Sequence, residues 1–119
     1  MVPTNVPVVI IGAGPTGLGM AAQLMRYNIG CIILEKNTKT THLSKAVVVQ
    51  ARTLEIFRQL GIAEEAIQKG RITTALNIFY KGAKKATLDL AGMGNGLSPF
   101  PFVLSLEQSK TETLLADHL

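Results

Sequence analysis

The chain has 119 residues, of which 47% are hydrophobic and 17% are charged. This apolar composition excludes an intrinsically disordered segment, which is poor in apolar residues and high in net charge. Cys31 is the only cysteine in the sequence, and a disulfide scaffold is therefore excluded. The net charge of +4 comes from scattered basic residues that are not interleaved with aromatic ones, which argues against a nucleic-acid partner.

The N-terminal residues indicate neither a membrane span nor an export signal. The apolar run from Val6 to Ala13 is far shorter than the ~20 residues that a bilayer requires. The segment Met1 to Asn5 lacks basic residues, and no small-residue cleavage site follows an apolar stretch. We therefore expect no membrane partner and, because the single cysteine is unpaired, a cytoplasmic location.

The first third of the chain predicts a βαβ unit over residues 7–36. Val8 to Ile11 is a β-branched run that stops at Gly12, which is typical of a strand buried on both faces in a parallel sheet. Leu18 to Tyr27 carries apolar residues at helical spacing, and Cys31 to Leu34 is a second apolar strand. The crossover between the two strands is expected to be right-handed.

The remainder of the chain predicts shorter elements separated by loops. A helical segment is expected at 50–69, with Leu54, Phe57 and Leu60 on one face, and a last helix at 107–119, with Leu114 and Leu115 facing inward. An antiparallel hairpin is expected at 72–90, with its first strand from Ile72 to Tyr80. Residues 37–46 and 91–101 are expected to be loops. The last helix has no glycine, proline or polar tail to close it, so we expect a piece of a larger domain. The predicted fold class is α/β.

The segment between the first strand and helix reads Gly12-x-Gly14-x-x-Gly17. In this context the first glycine makes the tight turn, the second lets a pyrophosphate approach the backbone, and the third allows close helix–strand packing. Glu35 ends the second strand, where an acid accepts hydrogen bonds from a ribose. An acid here argues against a ribose 2′-phosphate, so the residues predict a dinucleotide site for FAD or NAD.

Three segments resemble the para-hydroxybenzoate hydroxylase-like monooxygenases, which are single-component (class A) flavoprotein aromatic hydroxylases. The segments are Gly12–Leu18 with Leu34–Lys36, Ser44–Ala46 with Gln50–Glu55 and Leu60–Ile62, and Pro101–Gln108 with Thr111, Glu112 and Leu115. The resemblance implies an incomplete Rossmann-like βαβ FAD-binding fold, with a short antiparallel hairpin that begins the substrate-domain sheet. It also favours FAD over NAD.

The resemblance assigns FAD contacts to particular residues. The pyrophosphate is assigned to the loop of Gly12, Ala13, Gly14, Pro15, Thr16 and Gly17, and the adenosine ribose to Glu35. Lys36 is expected near the adenine, Lys45 near the phosphate and ribityl region, and Gln108 beside the flavin. Lys45 stands where the family more usually has arginine, so the charge is kept but the planar fork is lost.

The residues leave other interpretations open. Instead of contacting the cofactor, Lys45 could be a solvated charge in a loop. Gln108 could likewise cap the backbone of its own helix. Arg52 is expected to play a structural part by pairing with Glu55, and Cys31 to pack as a small hydrophobe. His42 is not expected to be catalytic, and neither a catalytic residue nor a metal site is predicted in this chain.

The resemblance implies a longer parent that uses NADH or NADPH and hydroxylates an activated phenolic ring through a flavin hydroperoxide. Two later motifs of the family, an Asp-Gly and a Gly-Asp segment, do not occur in the 119 residues. The chain is therefore expected to be an N-terminal FAD-binding fragment that is inactive alone and self-associates through exposed sheet edges. The alternatives are a fragment of an NAD-linked oxidoreductase and a short non-enzymatic interaction protein.

Overall fold

The computed structural model describes residues 5–38 and 46–119. The chain divides into two compact units, of which the first comprises Met1–Ala46 with Glu107–Leu119 and the second Val47–Leu106. The sequence analysis predicted no such division. Because the first unit is closed by the C-terminal helix, its residues come from both ends of the chain.

The first unit contains a parallel pair of strands joined by a helix. Strand β1 (Val8–Ile11) is followed by helix α1 (Pro15–Arg26) and strand β2 (Cys31–Leu34). The two strands pair in parallel, with Val8 opposite Cys31 and Ile11 opposite Leu34. The predicted α/β class and incomplete Rossmann-like βαβ fold are therefore confirmed.

Within these 119 residues β1 is covered on one face, whereas burial on both faces was predicted. Val9 and Ile11 are 53% and 88% exposed, whereas the alternate residues Val8 and Ile10 are partly buried. Side chains alternate between the faces of a strand, and Ile10 lies on the face where α1 packs, next to Gly17. A continuous apolar run therefore does not by itself show that both faces of its strand are covered.

Helix α4 (Gln108–His118) completes the first unit and packs on α1. Leu114 and Leu115 are buried, as predicted. A cavity of about 460 Å³ is lined by Met25 and Asn28 at the C-terminal end of α1 and by Leu119, which follows α4. The C-terminal ends of the two helices therefore both border this cavity.

The second unit contains two helices and two antiparallel sheets. In chain order its elements are β3 (Val48–Val49), α2 (Ala51–Leu60), α3 (Ala63–Lys69), β4 (Arg71–Thr73), β5 (Ala75–Tyr80), β6 (Ala83–Asp89) and β7 (Val103–Ser105). The three-stranded sheet has the order β3-β7-β4, and β5 pairs with β6 in the predicted hairpin. Leu54, Phe57 and Leu60 form the buried face of α2, as predicted.

The single strand expected from Ile72 to Tyr80 is two strands in the structure, so this prediction is wrong. Arg71–Thr73 pairs with β7, whereas Ala75–Tyr80 pairs with β6. The change of partner falls at Thr74, whose carbonyl accepts a hydrogen bond from Leu90 N–H at 2.8 Å. Strand β7 was not predicted because a three-residue strand is too short to show an alternating pattern.

Exposure differs between the two sheets of the second unit. Leu104 of β7 is fully buried, while every residue of β5 and β6 is exposed. None of the helices within 5–38 and 46–119 is long and apolar enough to cross a membrane.

Candidate functional site

The chain turns out of β1 at Gly12. Its φ of +103° is a backbone conformation that residues with a Cβ rarely adopt. The Gly12 N–H donates a hydrogen bond to the Leu34 carbonyl at 2.7 Å, so the pairing of β1 with β2 continues to the turn itself. The start of the glycine loop is therefore fixed to the carboxyl end of β2.

Gly17 holds α1 close to β1. A Cβ at this position would collide with the Gly12 carbonyl oxygen and come within 3.2 Å of Ile10 Cγ2. Only glycine therefore allows the first turn of α1 to lie against the end of the strand.

The N terminus of α1 is built to face an anion. Gly14 caps the helix in an extended conformation, with no side-chain cap and no acidic residue in the first turn. The first helical hydrogen bond runs from Leu18 N–H to the Gly14 carbonyl at 2.9 Å, so the N–H groups of Thr16 and Gly17 precede it. No atom of residues 5–38 and 46–119 lies within 4 Å of the place that a Cβ on Gly14 would occupy. This open space and the positive end of the helix fit a pyrophosphate.

Glu35 lies beside the glycine loop. Its Oε2 accepts a hydrogen bond from Ala13 N–H at 2.8 Å. Its Oε1 accepts from both the backbone N–H and the Nδ2 of Asn37, at 2.8 and 2.9 Å. These bonds, above all that from Ala13, hold the pKa of the Glu35 carboxyl below its ordinary value. An ionised acid is therefore held where the ribose of a dinucleotide is expected, and it can accept from the ribose hydroxyls.

Asn37 is a member of this group that the sequence analysis missed. It was read as the first residue of a polar loop, and its position two residues after Glu35 is the signal that was available. Lys36, between them, is exposed. The structure therefore brings the glycine loop, Glu35 and Lys36 together at the carboxyl end of the β1–β2 pair.

Gln108 begins α4. Its backbone N–H donates to the Ala46 carbonyl at 2.9 Å, and its Nε2 donates to Glu112 Oε1 at 2.7 Å. The cap of α4 is Glu107, without a side-chain capping bond. Gln108 and the glycine loop both belong to the first unit.

Two residues named in the sequence analysis, Lys45 and His42, lie outside the described residues. Ala46, which directly follows Lys45 in the chain, is the residue that accepts the Gln108 backbone hydrogen bond. The contact of Lys45 with a phosphate remains a prediction, because Lys45 is not among the described residues.

The second unit contains the pair of Arg52 and Glu55. Arg52 Nη1 lies 2.9 Å from Glu55 Oε2, as predicted for a structural role. Ser98 Oγ donates to Glu55 Oε1 at 2.8 Å and accepts from Phe100 N–H at 3.1 Å, two contacts that the sequence analysis missed. The hydrogen bonds from Arg52 and Ser98 keep the pKa of Glu55 below its ordinary value. Glu55 therefore anchors the loop between β6 and β7 to α2.

Cys31 is partly buried and lines the cavity at the C-terminal end of α1. Within the parts of the chain that the structure describes, no cluster of His, Cys, Asp and Glu side chains could hold a metal ion.

Residues 5–119 match the family model described as an FAD binding domain. The chain is 37% identical over 111 residues to an uncharacterized aromatic compound monooxygenase of Bacillus subtilis, YhjG, and the match covers 92% of this chain and 21% of that protein. It is 32% identical over 111 residues to a rifampicin monooxygenase of Streptomyces venezuelae, covering 93% of this chain and 22% of that protein.

Among solved structures, the chain is similar to the flavin-dependent monooxygenase PieE, which was crystallised with FAD and substrate. The superposition has a TM-score of 0.81 with 30% sequence identity, and it covers 98% of this chain and 22% of that chain. The 119 residues thus span about a fifth of the length of the relatives that they match.

Proposed function

The chain belongs to the family of FAD binding domains, and we propose that it forms part of the FAD site of an aromatic hydroxylase. The observation that carries the proposal is the arrangement of Gly14 and Glu35. The space at Gly14 admits a phosphate at the N terminus of α1. Ala13, the residue before Gly14, donates its backbone N–H to the Glu35 carboxylate, and this hydrogen bond favours the ionised form of Glu35. In a bound dinucleotide, the pyrophosphate would lie at Gly14 and the ribose at Glu35.

We assign the binding roles as follows. The loop from Gly12 to Gly17 binds the pyrophosphate with its N–H groups, and Glu35 accepts hydrogen bonds from the adenosine ribose. Lys36 lies beside the adenine. Lys45 and Gln108 contact the ribityl and flavin side of FAD, a role supported for Gln108 by its place at the N-terminal end of α4.

The activity of the whole protein is a proposal that the relatives support. FAD supplies the redox chemistry of hydroxylation when it is bound. The relative in Bacillus subtilis is called an aromatic compound monooxygenase, so we propose an aromatic small molecule as substrate. We further propose NADH or NADPH as the reductant. This chain's own residues would bind and orient the cofactor, and we expect the 119 residues alone to bind FAD without turning over substrate.

A competition titration tests the binding proposal. FAD is added to the 119-residue chain, and quenching of flavin fluorescence is measured with and without ADP and with NADH in a separate titration. We expect saturable FAD binding that ADP reverses, because ADP carries the ribose and pyrophosphate that the loop and Glu35 recognise. A folded chain, judged by circular dichroism, that gives no saturable FAD signal would contradict the proposal. Displacement of FAD by NADH at equal concentration would favour the NAD-linked alternative.

A matched pair of variants tests the assignment to Glu35. Replacing Glu35 with Gln removes the charge that accepts from the ribose, whereas the same change at Glu64, an exposed acid in α3, leaves the site intact. Weaker FAD binding by Glu35→Gln alone supports the assignment. Equal affinities in both variants would remove Glu35 from the site.

A further inference from the structure

Glu112 is a buried acid on the helix that begins with Gln108. It is only 5% exposed and shares the buried face of α4 with Thr111, Leu114 and Leu115. Acidic side chains are almost never fully buried unless they are paired. We propose that Glu112 is a positioning residue that fixes the orientation of the Gln108 carboxamide. The consequence for FAD rests on the proposed function, whereas the orientation itself does not.

The geometry of the pair supports this role. Gln108 Nε2 donates to Glu112 Oε1 at 2.7 Å, and residues four apart lie on the same side of a helix. A carboxylate can only accept hydrogen bonds, whereas a carboxamide has a donor end and an acceptor end. Glu112 therefore holds Nε2 towards itself, and Oε1 of Gln108 lies on the other side of the planar amide.

The orientation determines which ligand group Gln108 recognises. With Nε2 directed to Glu112, Gln108 carries an acceptor rather than a donor on the opposite side of its amide, and a ligand group recognised there would be a hydrogen-bond donor. A hydroxyl of the ribityl chain is such a donor. The two orientations of the amide are nearly equal in shape, so hydrogen-bond partners such as Glu112 are what distinguish them.

Packing does not explain the burial of Glu112. A buried carboxylate is costly unless hydrogen bonds compensate it, and apolar replacements of buried charges are often neutral or stabilising. The adjacent buried positions of α4 are held by Leu114 and Leu115. A carboxylate among them is explained by its bond to Gln108 rather than by the stability of the helix.

The orientation is tested in the 119-residue chain without any ligand. The side-chain amide resonances of Gln108 are recorded by 1H–15N NMR in the wild type, Glu112→Gln and Glu112→Leu. Glu107→Gln is the control, because Glu107 is a partly exposed acid on the same helix end that pairs with Lys110. We expect one Gln108 amide proton in the wild type and control to be shifted by the hydrogen bond and protected from exchange with water, and the Glu112 variants, above all Glu112→Leu, to show faster exchange and the shifts of a solvated glutamine. Unchanged Gln108 resonances in the Glu112 variants would overturn the proposal.

A double-mutant cycle then tests whether the orientation reaches FAD. Glu112→Gln is expected to weaken FAD binding about five- to tenfold, the effect of one misdirected hydrogen bond. In a Gln108→Ala background the same change should have no further effect, because the residue that it orients is gone. An equal loss in both backgrounds would show that Glu112 acts on the fold and would overturn its positioning role. Absence of FAD binding in every variant would count against the proposed function, and the NMR result would then decide on Glu112 alone.

Discussion

The Glu35 carboxylate accepts a hydrogen bond from the backbone N–H of Ala13 at 2.8 Å, across 22 residues of sequence. The bond joins the residue after β2 to the loop after β1, so the two parts of the dinucleotide site are fixed relative to each other. The carboxylate that is expected to receive the ribose therefore also holds the loop that is expected to receive the pyrophosphate. A change at Glu35 should affect both.

Glu35→Gln is expected to weaken FAD binding by about tenfold or more, because a charge-assisted hydrogen bond to the ribose is roughly twice as strong as a neutral one. Fluorescence titration at constant ionic strength measures the affinity. The affinity of the variant for adenosine, which lacks phosphates, should fall by a similar factor. Its affinity for free pyrophosphate should fall less. A loss confined to pyrophosphate would mean that Glu35 acts only on the loop.

The lowered pKa of Glu35 predicts a dependence of stability on pH. Its value in the folded chain lies below the ordinary 4.5, so the ionised acid stabilises the folded state above that pH. This stabilisation is lost as the pH falls through the lowered pKa. Urea unfolding between about pH 5 and pH 3 should therefore show a steeper fall for the wild type than for Glu35→Gln. Parallel curves would contradict the hydrogen bonds from Ala13 and Asn37.

Gly14→Ala and Gly17→Ala are expected to separate binding from folding. The Gly17 substitution forces a Cβ against the Gly12 carbonyl and should cost about 1–3 kcal/mol of stability, the range for overpacked sites. The Gly14 substitution meets no described residue within 4 Å and should cost less, about 0.5–1 kcal/mol, because glycine is a better helix N-cap than alanine. It should nevertheless weaken FAD binding, since its methyl group enters the space for the pyrophosphate. Chemical denaturation and FAD titration of the two variants measure these effects, and equal stabilities would refute the close contact at Gly17.

Ser98→Ala is expected to lower the denaturation midpoint more than Arg52→Ala. Ser98 Oγ joins Glu55 to the backbone of Phe100 and is partly buried, whereas the Arg52 side chain is 76% exposed and its ion pair is screened by water. The difference should persist at high salt, which weakens only the ion pair. A larger effect of Arg52→Ala at low salt would show that the ion pair, and not the serine, holds the loop to α2.

Self-association through sheet edges is expected for the isolated chain. Strand β5 pairs only with β6 among the described residues, and Ile78 and Phe79 on it are 54% and 63% exposed. Sedimentation velocity should show dimers or larger species at rising concentration, and Ile78→Lys should shift the distribution towards monomer. A monomer at every concentration would contradict this expectation.

Local patterns made the βαβ unit predictable. Gly12, Gly17 and Glu35 lie within one crossover, where each residue type follows from a turn, a close approach or a strand end. Long-range pairings were not predictable in this way. The strand Arg71–Thr73 was merged with its neighbour because its partner, Val103–Ser105, lies 30 residues further along the chain.

Single side-chain contacts were the hardest part of the candidate site to predict. Glu112 was noted only as part of a motif, and its burial depends on how α4 packs on α1. Asn37 and Ser98 read as loop residues, since a polar side chain in a loop shows its partner only when the fold is known. The elements that carry the expected FAD-binding positions were therefore easier to predict than the side-chain contacts beside them.

The contacts around Gly12 and Gly17 have a consequence for the thermodynamics of ligand binding. The Gly12 N–H is engaged by β2, and the first turn of α1 lies directly against the Gly12 carbonyl. A loop held on both sides in this way is already ordered before a phosphate arrives. Binding then loses little conformational entropy in the loop, and most of the entropic cost falls on the freely rotating bonds of the dinucleotide itself.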